Sequence, residues 1–275
     1  MSEFKKKKQY GQNFLTNVAI PRRIAAESGI MPENGVIEIG PGFGILTREL
    51  SAIASKVVAI EIDTELMSIL PEKLEGCNNV KVINADILKT DVEKLISEEF
   101  PQREVCVCAN LPYYITTDIV MKLLEGEYGF KTITVMVQKE VAERFCAKAG
   151  TAGYGAITAS ISYYASVKRL FTVKAGSFDP KPKVDSAVIR FDLYKEPPVK
   201  PMSKDMLFAV IRAAFSQRRK TLVNSLFSAF GNDIPKQRIA EILIENGLSE
   251  TVRGEELDIF AFSKIADSIY KEKSK

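Results

Sequence analysis

The chain has 275 residues, 46% hydrophobic and 27% charged, enough for one large globular domain with a smaller appendage. Its net charge is only +3, so affinity for a polyanion must come from local patches rather than the overall field. Histidine is absent, which removes imidazole as general base, nucleophile partner or metal ligand.

No run approaches the roughly 18 apolar residues of a membrane span. The lysine-rich start lacks the apolar segment of a secretory signal, and the serines and arginines of a transit peptide. The four cysteines suit a reducing cytoplasm. Cys106 and Cys108 alternate in V-C-V-C-A and share one face; they are expected as small buried hydrophobes, with no metal site.

Lys5 to Lys8 form a basic arm, either a solvated tail or a contact for phosphates. Gln12 to Leu15, Q-N-F-L, precede an amphipathic helix whose Ile20, Ile24 and Ala25 face one way. Polar amides beside two large apolar residues suit a lid over a bound cofactor.

Val36 to Ile39 read as a short buried strand, followed by Gly40, Gly42 and Gly44 and a helix with Leu46, Thr47 and Leu50. Strand, glycine turn and helix make a nucleotide-sized crevice at the carboxyl ends of an open α/β sheet. A dinucleotide fingerprint would place its third glycine at position 45, which is Ile45. The compact G-x-G-x-G with Glu38 two residues ahead fits S-adenosylmethionine better than NAD, because that donor has no pyrophosphate to seat on the helix. A glycine-rich turn without a ligand is the competing reading.

A second strand, Lys56 to Ile60, ends in Glu61, where a carboxylate accepts hydrogen bonds from both ribose hydroxyls of a nucleoside. A third, Val80 to Asn84, leads to Asp86, placed to accept from an adenine amino group. Either acid alone could be a solvated loop charge. A fourth, Val105 to Ala109, delivers Asn110-Leu111-Pro112-Tyr113-Tyr114. The amino group of a purine or pyrimidine is a poor nucleophile because its lone pair is delocalised into the ring. Two acceptors on a stiff turn, the Asn110 side-chain oxygen and the Leu111 carbonyl, can hold both its protons and turn the lone pair toward an electrophile. Tyr113 offers a face for the base to stack on.

Thr132 to Gln138 read as a fifth strand, Lys139 to Lys148 and Ala156 to Tyr164 as helices, and Val167 to Val173 and Ser186 to Leu193 as two further strands. The loop between these last two holds Phe178-Asp179-Pro180-Lys181-Pro182-Lys183. Two prolines stiffen it, and Phe178 reads as a second stacking wall opposite Tyr113 or as a plug on the sheet edge. Lys195 to Ser203, with three prolines in five positions, mark a linker. Beyond it the pattern is helical: Leu207, Val210, Ile211 and Ala214 form a buried stripe, Pro235 starts a helix and Gly247 ends it. Arg218, Arg219 and Lys220 are the densest cationic cluster, either a wet face or a grip on RNA phosphates.

Taken together, Q-N-F-L, E-I-G-P-G-F-G, Glu61, N-A-D and N-L-P-Y resemble the ribosomal RNA adenine N6,N6-dimethyltransferases of the KsgA type. So do Q-K-E-V-A-E-R at 138–144, F-D-P-K-P-K-V-D-S at 178–186 and A-F-S-Q-R-R-K-T-L at 214–222. The likeness covers nearly the whole chain in order. It implies a Rossmann-like α/β methyltransferase domain over residues 1–195, a linker over 196–203 and a small all-helical domain over 204–275 that contacts RNA or the ribosome. It implies that Asn13, Leu15, Gly40, Glu61, Asp86 and Asn110 contact S-adenosylmethionine, and that Asn110, Tyr113 and Phe178 hold the target adenine. The implied substrate is a 3′-terminal hairpin loop of small-subunit rRNA on an assembling ribosomal particle, methylated by a cytoplasmic monomer.

The reaction expected is in-line displacement, the adenine nitrogen attacking the sulfonium methyl twice, with no metal and no strong base. The base must leave its stack to reach the pocket. Three alternatives stand: a relative acting on large-subunit RNA, a non-catalytic RNA-binding assembly factor, and a dehydrogenase.

Overall fold

The computed structural model describes residues 13–217 and 219–274; Lys5 to Lys8, Gln12 and Arg218 lie outside the described residues. The chain forms two compact units, Met1–Ala142 with Ser166–Leu193 and Glu143–Ala165 with Tyr194–Lys275. The break after Leu193 falls beside the expected boundary at 195. The segment Glu143–Ala165, however, expected within the first domain, groups with the C-terminal helices. The cause is aromatic packing: Tyr163 and Tyr164 lie 5.5 and 5.7 Å from the ring of Phe208, and the Tyr154 hydroxyl donates to the Leu257 carbonyl.

In the first unit β1 (Phe14–Leu15) and α1 (Ala19–Glu27) precede alternating strands and helices. These are β2 (Gly35–Ile39), α2 (Ile45–Ser51), β3 (Lys56–Glu61), α3 (Thr64–Lys73), β4 (Val80–Asn84), α4 (Val92–Glu99), β5 (Val105–Asn110), α5 (Thr116–Glu125) and β6 (Thr132–Gln138). The chain continues through α6 (Lys139–Phe145), three residues shorter than expected, and α7 (Ala156–Tyr164) in the second unit. It returns as β7 (Ala165–Val173), β8 (Phe178–Asp179) and β9 (Ser186–Leu193). The strands and helices read from periodicity are thus present, with ends shifted by a few residues. The two-residue strands β1 and β8, which pair with each other, have no periodicity to read.

The main sheet has the order β4-β3-β2-β5-β6-β9-β7. Strands β2 to β6 run parallel and β9 runs antiparallel to β6. This is the expected Rossmann-like architecture. Every residue of β2 is buried, as are all but the first of β3 and the last of β5 and β6. Strands covered on both faces read as continuous apolar runs, and Glu38 is the exception within β2. After β4 the chain crosses to the other side of β2 to form β5. That reversal opens a crevice at the carboxyl ends of β2 and β5, where open α/β sheets bind ligands.

The second unit carries α8 (Lys204–Phe215), α9 (Leu222–Phe230), α10 (Lys236–Glu245) and α11 (Ile259–Lys273). The stripe read from sequence, Leu207, Val210, Ile211 and Ala214, is the buried face of α8. Ser203 caps that helix by accepting from the Met206 N–H, and α10 starts directly after Pro235. No helix among the described residues is long and apolar enough to cross a membrane.

Candidate active site

Strand β2 ends in the turn Gly40–Gly44. Its three glycines adopt φ of +68°, +58° and +76°, a left-handed region that a Cβ makes costly. At Gly44 a Cβ would also stand 2.9 Å from Leu74 Cδ2, and at Gly42 3.1 Å from the Phe14 ring. The turn is therefore shaped both by the helix packed beneath it and by the segment folded against it.

That segment is β1. Leu15 pairs with Phe178 and Phe14 with Asp179, and both the N–H and the hydroxyl of Thr16 donate to the Ser177 carbonyl. Phe14 rests on Phe43, the rings 4.5 Å apart. The lid expected of Q-N-F-L is thus, over its described part, a strand held down by the loop that carries Phe178.

Beneath the lid lies a cleft with about 840 Å³ of empty space, the open solvent at its mouth included. Of the residues inferred from sequence it gathers Asn13, Leu15, Gly40, Glu61, Asn110, Leu111 and Tyr113. Two others are not in its walls. Phe178 is 4% exposed and belongs to the core with Leu15, Ile24 and Met136. Asp86 is half-buried in the loop after β4, where its carboxylate accepts from the Leu88 N–H.

The acceptors are arranged by local bonding. Glu61 is buried, and its carboxylate accepts from the Gly42 N–H at 3.2 Å and the Asp63 N–H at 2.8 Å. A carboxylate has about four acceptor positions, so capacity remains for two more donors. Burial pushes its pKa above the usual range, against the pull of those two amides.

Asn110 donates its side-chain amide to the Asn13 carbonyl at 3.3 Å, which leaves its Oδ1 to accept. The Leu111 N–H donates to the Met136 carbonyl, and the Ile115 N–H and Thr116 hydroxyl both donate to the Pro112 carbonyl. The turn is therefore fixed while the Leu111 carbonyl accepts nothing from the described chain. Tyr113 shares a 2.7 Å hydrogen bond with the Ser186 hydroxyl; burial pushes its phenol up and Ser186 opposes that shift.

Two acidic residues, Glu38 and Glu61, line the cleft, and no basic side chain among the described residues does. Among the described residues a pyrophosphate would find no counter-charge there, which disfavours the dinucleotide alternative; a cationic sulfonium needs none and suits these acceptors.

The residue family is settled by comparison. Residues 3–264 match the family model described as ribosomal RNA adenine dimethylase. The chain belongs to the ribosomal RNA adenine dimethylase family. It is 46% identical over 269 residues to the ribosomal RNA small subunit methyltransferase A of Lysinibacillus sphaericus (strain C3-41), covering 97% of this chain and 92% of that one.

Two solved structures agree with that membership. A dimethyladenosine transferase from Plasmodium falciparum superposes with a TM-score of 0.79 at 29% identity, over 94% of this chain and 98% of that one. The 23S rRNA methyltransferase ErmE superposes at 0.73 and 27%, over 94% and 100%. The protein is thus an rRNA adenine dimethyltransferase, as the motifs imply.

Several residues escaped the sequence reading. Phe43 lines the cleft in a ring pair with Phe14, one of the two apolar residues of the expected lid; its place inside G-P-G-F-G was the available signal. Ser186 sits inside V-D-S, but nothing in the sequence brings it to Tyr113, 73 residues away.

Proposed function

We propose that this dimethyltransferase uses S-adenosylmethionine to convert adjacent adenines of a 3′-terminal hairpin loop in small-subunit rRNA to N6,N6-dimethyladenine, acting as a cytoplasmic monomer on an assembling ribosomal particle. When bound, S-adenosylmethionine supplies a methyl group activated by its sulfonium. The free acceptor positions of Glu61 take the ribose hydroxyls, Asp86 accepts from the adenine amino group of the donor, and Asn13, Leu15 and Gly40 enclose the rest. The buried carboxyl groups of the cleft, with no basic side chain beside them among the described residues, support that fit.

At the other side, Asn110 Oδ1 and the Leu111 carbonyl hold the two protons of the target amino group, so that its lone pair faces the methyl. Both lie on one stiff turn, which lets them act without reorganisation. Tyr113 stacks on the extruded base. Phe178, buried in the core with Leu15 and Ile24, contributes as an anchor of the lid, a role distinct from both the stacking wall and the sheet-edge plug read from its sequence. No strong base is needed, because the nitrogen becomes acidic once alkylated and water or Asn110 Oδ1 receives the proton.

The observation that carries this reading is the convergence of the Asn110–Leu111 acceptors and the Glu61 carboxylate on one cleft. The small-subunit target is favoured over the large because the 46% relative is named for the small subunit, whereas ErmE stands at 27%. RNA phosphates are gripped by Arg218, Arg219 and Lys220; the latter two are exposed in the second unit. The test is incubation of undermethylated small subunits with labelled S-adenosylmethionine, followed by mass spectrometry of RNA digests. Dimethyladenine near the 3′ end is expected, and label confined to large-subunit RNA would refute the target.

A further inference from the structure

Tyr114 follows Tyr113 on the acceptor turn and is 59% exposed. Among the described residues of the first unit it is the only exposed aromatic side chain; the others are buried or half-buried. Exposure rises along the turn. Leu111 is buried and Pro112 and Tyr113 are half-buried, all three lining the cleft, whereas Tyr114 stands outside its walls. The turn thus leads from the core along the cleft wall and brings a second ring to the rim, one residue beyond the first.

The core does not call for that ring. Helix α5 packs through Thr116, Ile119, Val120, Leu123 and Leu124. The backbone of the turn is fixed by the Ile115 N–H and Thr116 hydroxyl donating to the Pro112 carbonyl, and by the Ile119 N–H donating to the Ile115 carbonyl. A polar side chain would serve an exposed turn position equally well.

Extrusion of a target adenine creates a need that such a ring meets. A base that leaves its stack exposes one face of the next base in the strand. An aromatic side chain can cover that face, and each base stacked in this way is worth about 5- to 150-fold in affinity.

We propose that Tyr114 is the stacking platform for the second adenine of the adjacent pair while the first occupies the cleft beside Tyr113. One stiff turn then presents two rings, one for the extruded base and one for its neighbour. The contact favours a purine at the second position, whose larger π-face stacks more strongly than a pyrimidine's. This assignment rests on adjacent adenines of small-subunit rRNA being the substrate.

The test compares Tyr114→Leu, Tyr114→Phe and Tyr114→Trp with the wild-type chain on undermethylated small subunits, counting dimethyladenine at the first position by mass spectrometry of RNA digests. Leucine keeps the apolar character and removes the π-face, so kcat/KM for the subunit should fall about tenfold. Phenylalanine and tryptophan should stay within about twofold of wild type. S-adenosylmethionine affinity, read by calorimetry, should be the same in all four, and so should the thermal midpoint, because the ring is exposed. Small subunits carrying uracil in place of the second adenine complete a double-mutant cycle. On them the wild type should lose most of its advantage over Tyr114→Leu, because the same stack is removed from either side.

Wild-type turnover by Tyr114→Leu would overturn the proposal. So would a phenylalanine variant as impaired as the leucine one, which would assign the effect to the phenol hydroxyl. Additive losses in the cycle would show that the ring does not touch the second adenine. Weakened donor binding or a lowered midpoint in Tyr114→Leu, unmatched by a loss specific to the second adenine, would assign the residue to the donor site or the fold instead. Failure of the wild type to methylate small subunits at all is a distinct result, which removes the substrate reading and the proposal with it.

Discussion

The side-chain amide of Asn110, at the tip of β5, donates to the backbone carbonyl of Asn13, 97 positions earlier in the chain. The bond ties the lid to the acceptor turn and settles the orientation of a side chain whose two ends are otherwise nearly alike in shape. With its nitrogen engaged, the oxygen is the end left for an incoming amino group.

Asn110→Ala should accordingly lower kcat by at least about 100-fold, the scale on which loss of a preorganised charge-stabilising group is felt. RNA affinity should change by no more than about twofold, because phosphate contacts supply most of it. Single-turnover methylation and filter binding on the same variant separate the two.

The Tyr113–Ser186 hydrogen bond sets the tilt of the ring proposed to receive the base. Tyr113→Phe and Ser186→Ala should each cost about 1 kcal/mol of transition-state stabilisation, roughly fivefold in kcat. The double variant should be little worse than either, because both changes remove one bond. Additive losses would show that the pair does not act as a unit.

Phe178→Ala empties a buried site shared with Leu15 and Ile24. It should lower unfolding free energy by about 3 kcal/mol or more, read by denaturant titration. A variant of unchanged stability whose kcat alone falls would restore Phe178 to the stacking wall that sequence also allowed.

Glu38→Gln should stabilise the ligand-free protein at neutral pH. With a folded pKa of about 8 against the ordinary 4.5, the folded state keeps a proton that the unfolded chain releases across that window. Stability therefore falls as pH rises from about 4.5 to 8. Glutamine removes that slope, a gain of up to roughly 3 kcal/mol near pH 7. Thermal melts at about pH 5 and 8 should differ more in the wild type than in the variant.

Replacing Arg218, Arg219 and Lys220 with alanine should weaken binding to the small subunit and flatten its dependence on salt. Three lost phosphate contacts reduce the log–log slope by about 2 for single-stranded RNA. An unchanged slope would assign the cluster to a solvated face.

Much of this was legible in the chain itself. Alternating apolar runs and the Gly40, Gly42, Gly44 spacing determine the sheet, the turn and the face at which a ligand binds, because these depend on local sterics and period. The acidic strand tips and the N-L-P-Y turn name the chemistry for the same reason: each functional group sits within a residue or two of a strand end. Other features depend on contacts between distant segments, for which periodicity carries no signal. The pairing of Phe14–Leu15 with Phe178–Asp179 turns a loop into a clamp and takes the Phe178 ring into the core. The aromatic packing of Tyr163 and Tyr164 on Phe208 draws residues 143–165 out of the first unit. Glu38 shows the division within a single side chain: the sequence determined that an acid precedes the glycine turn, and only burial between β3 and β5, away from water and any cation, decided that it stays protonated.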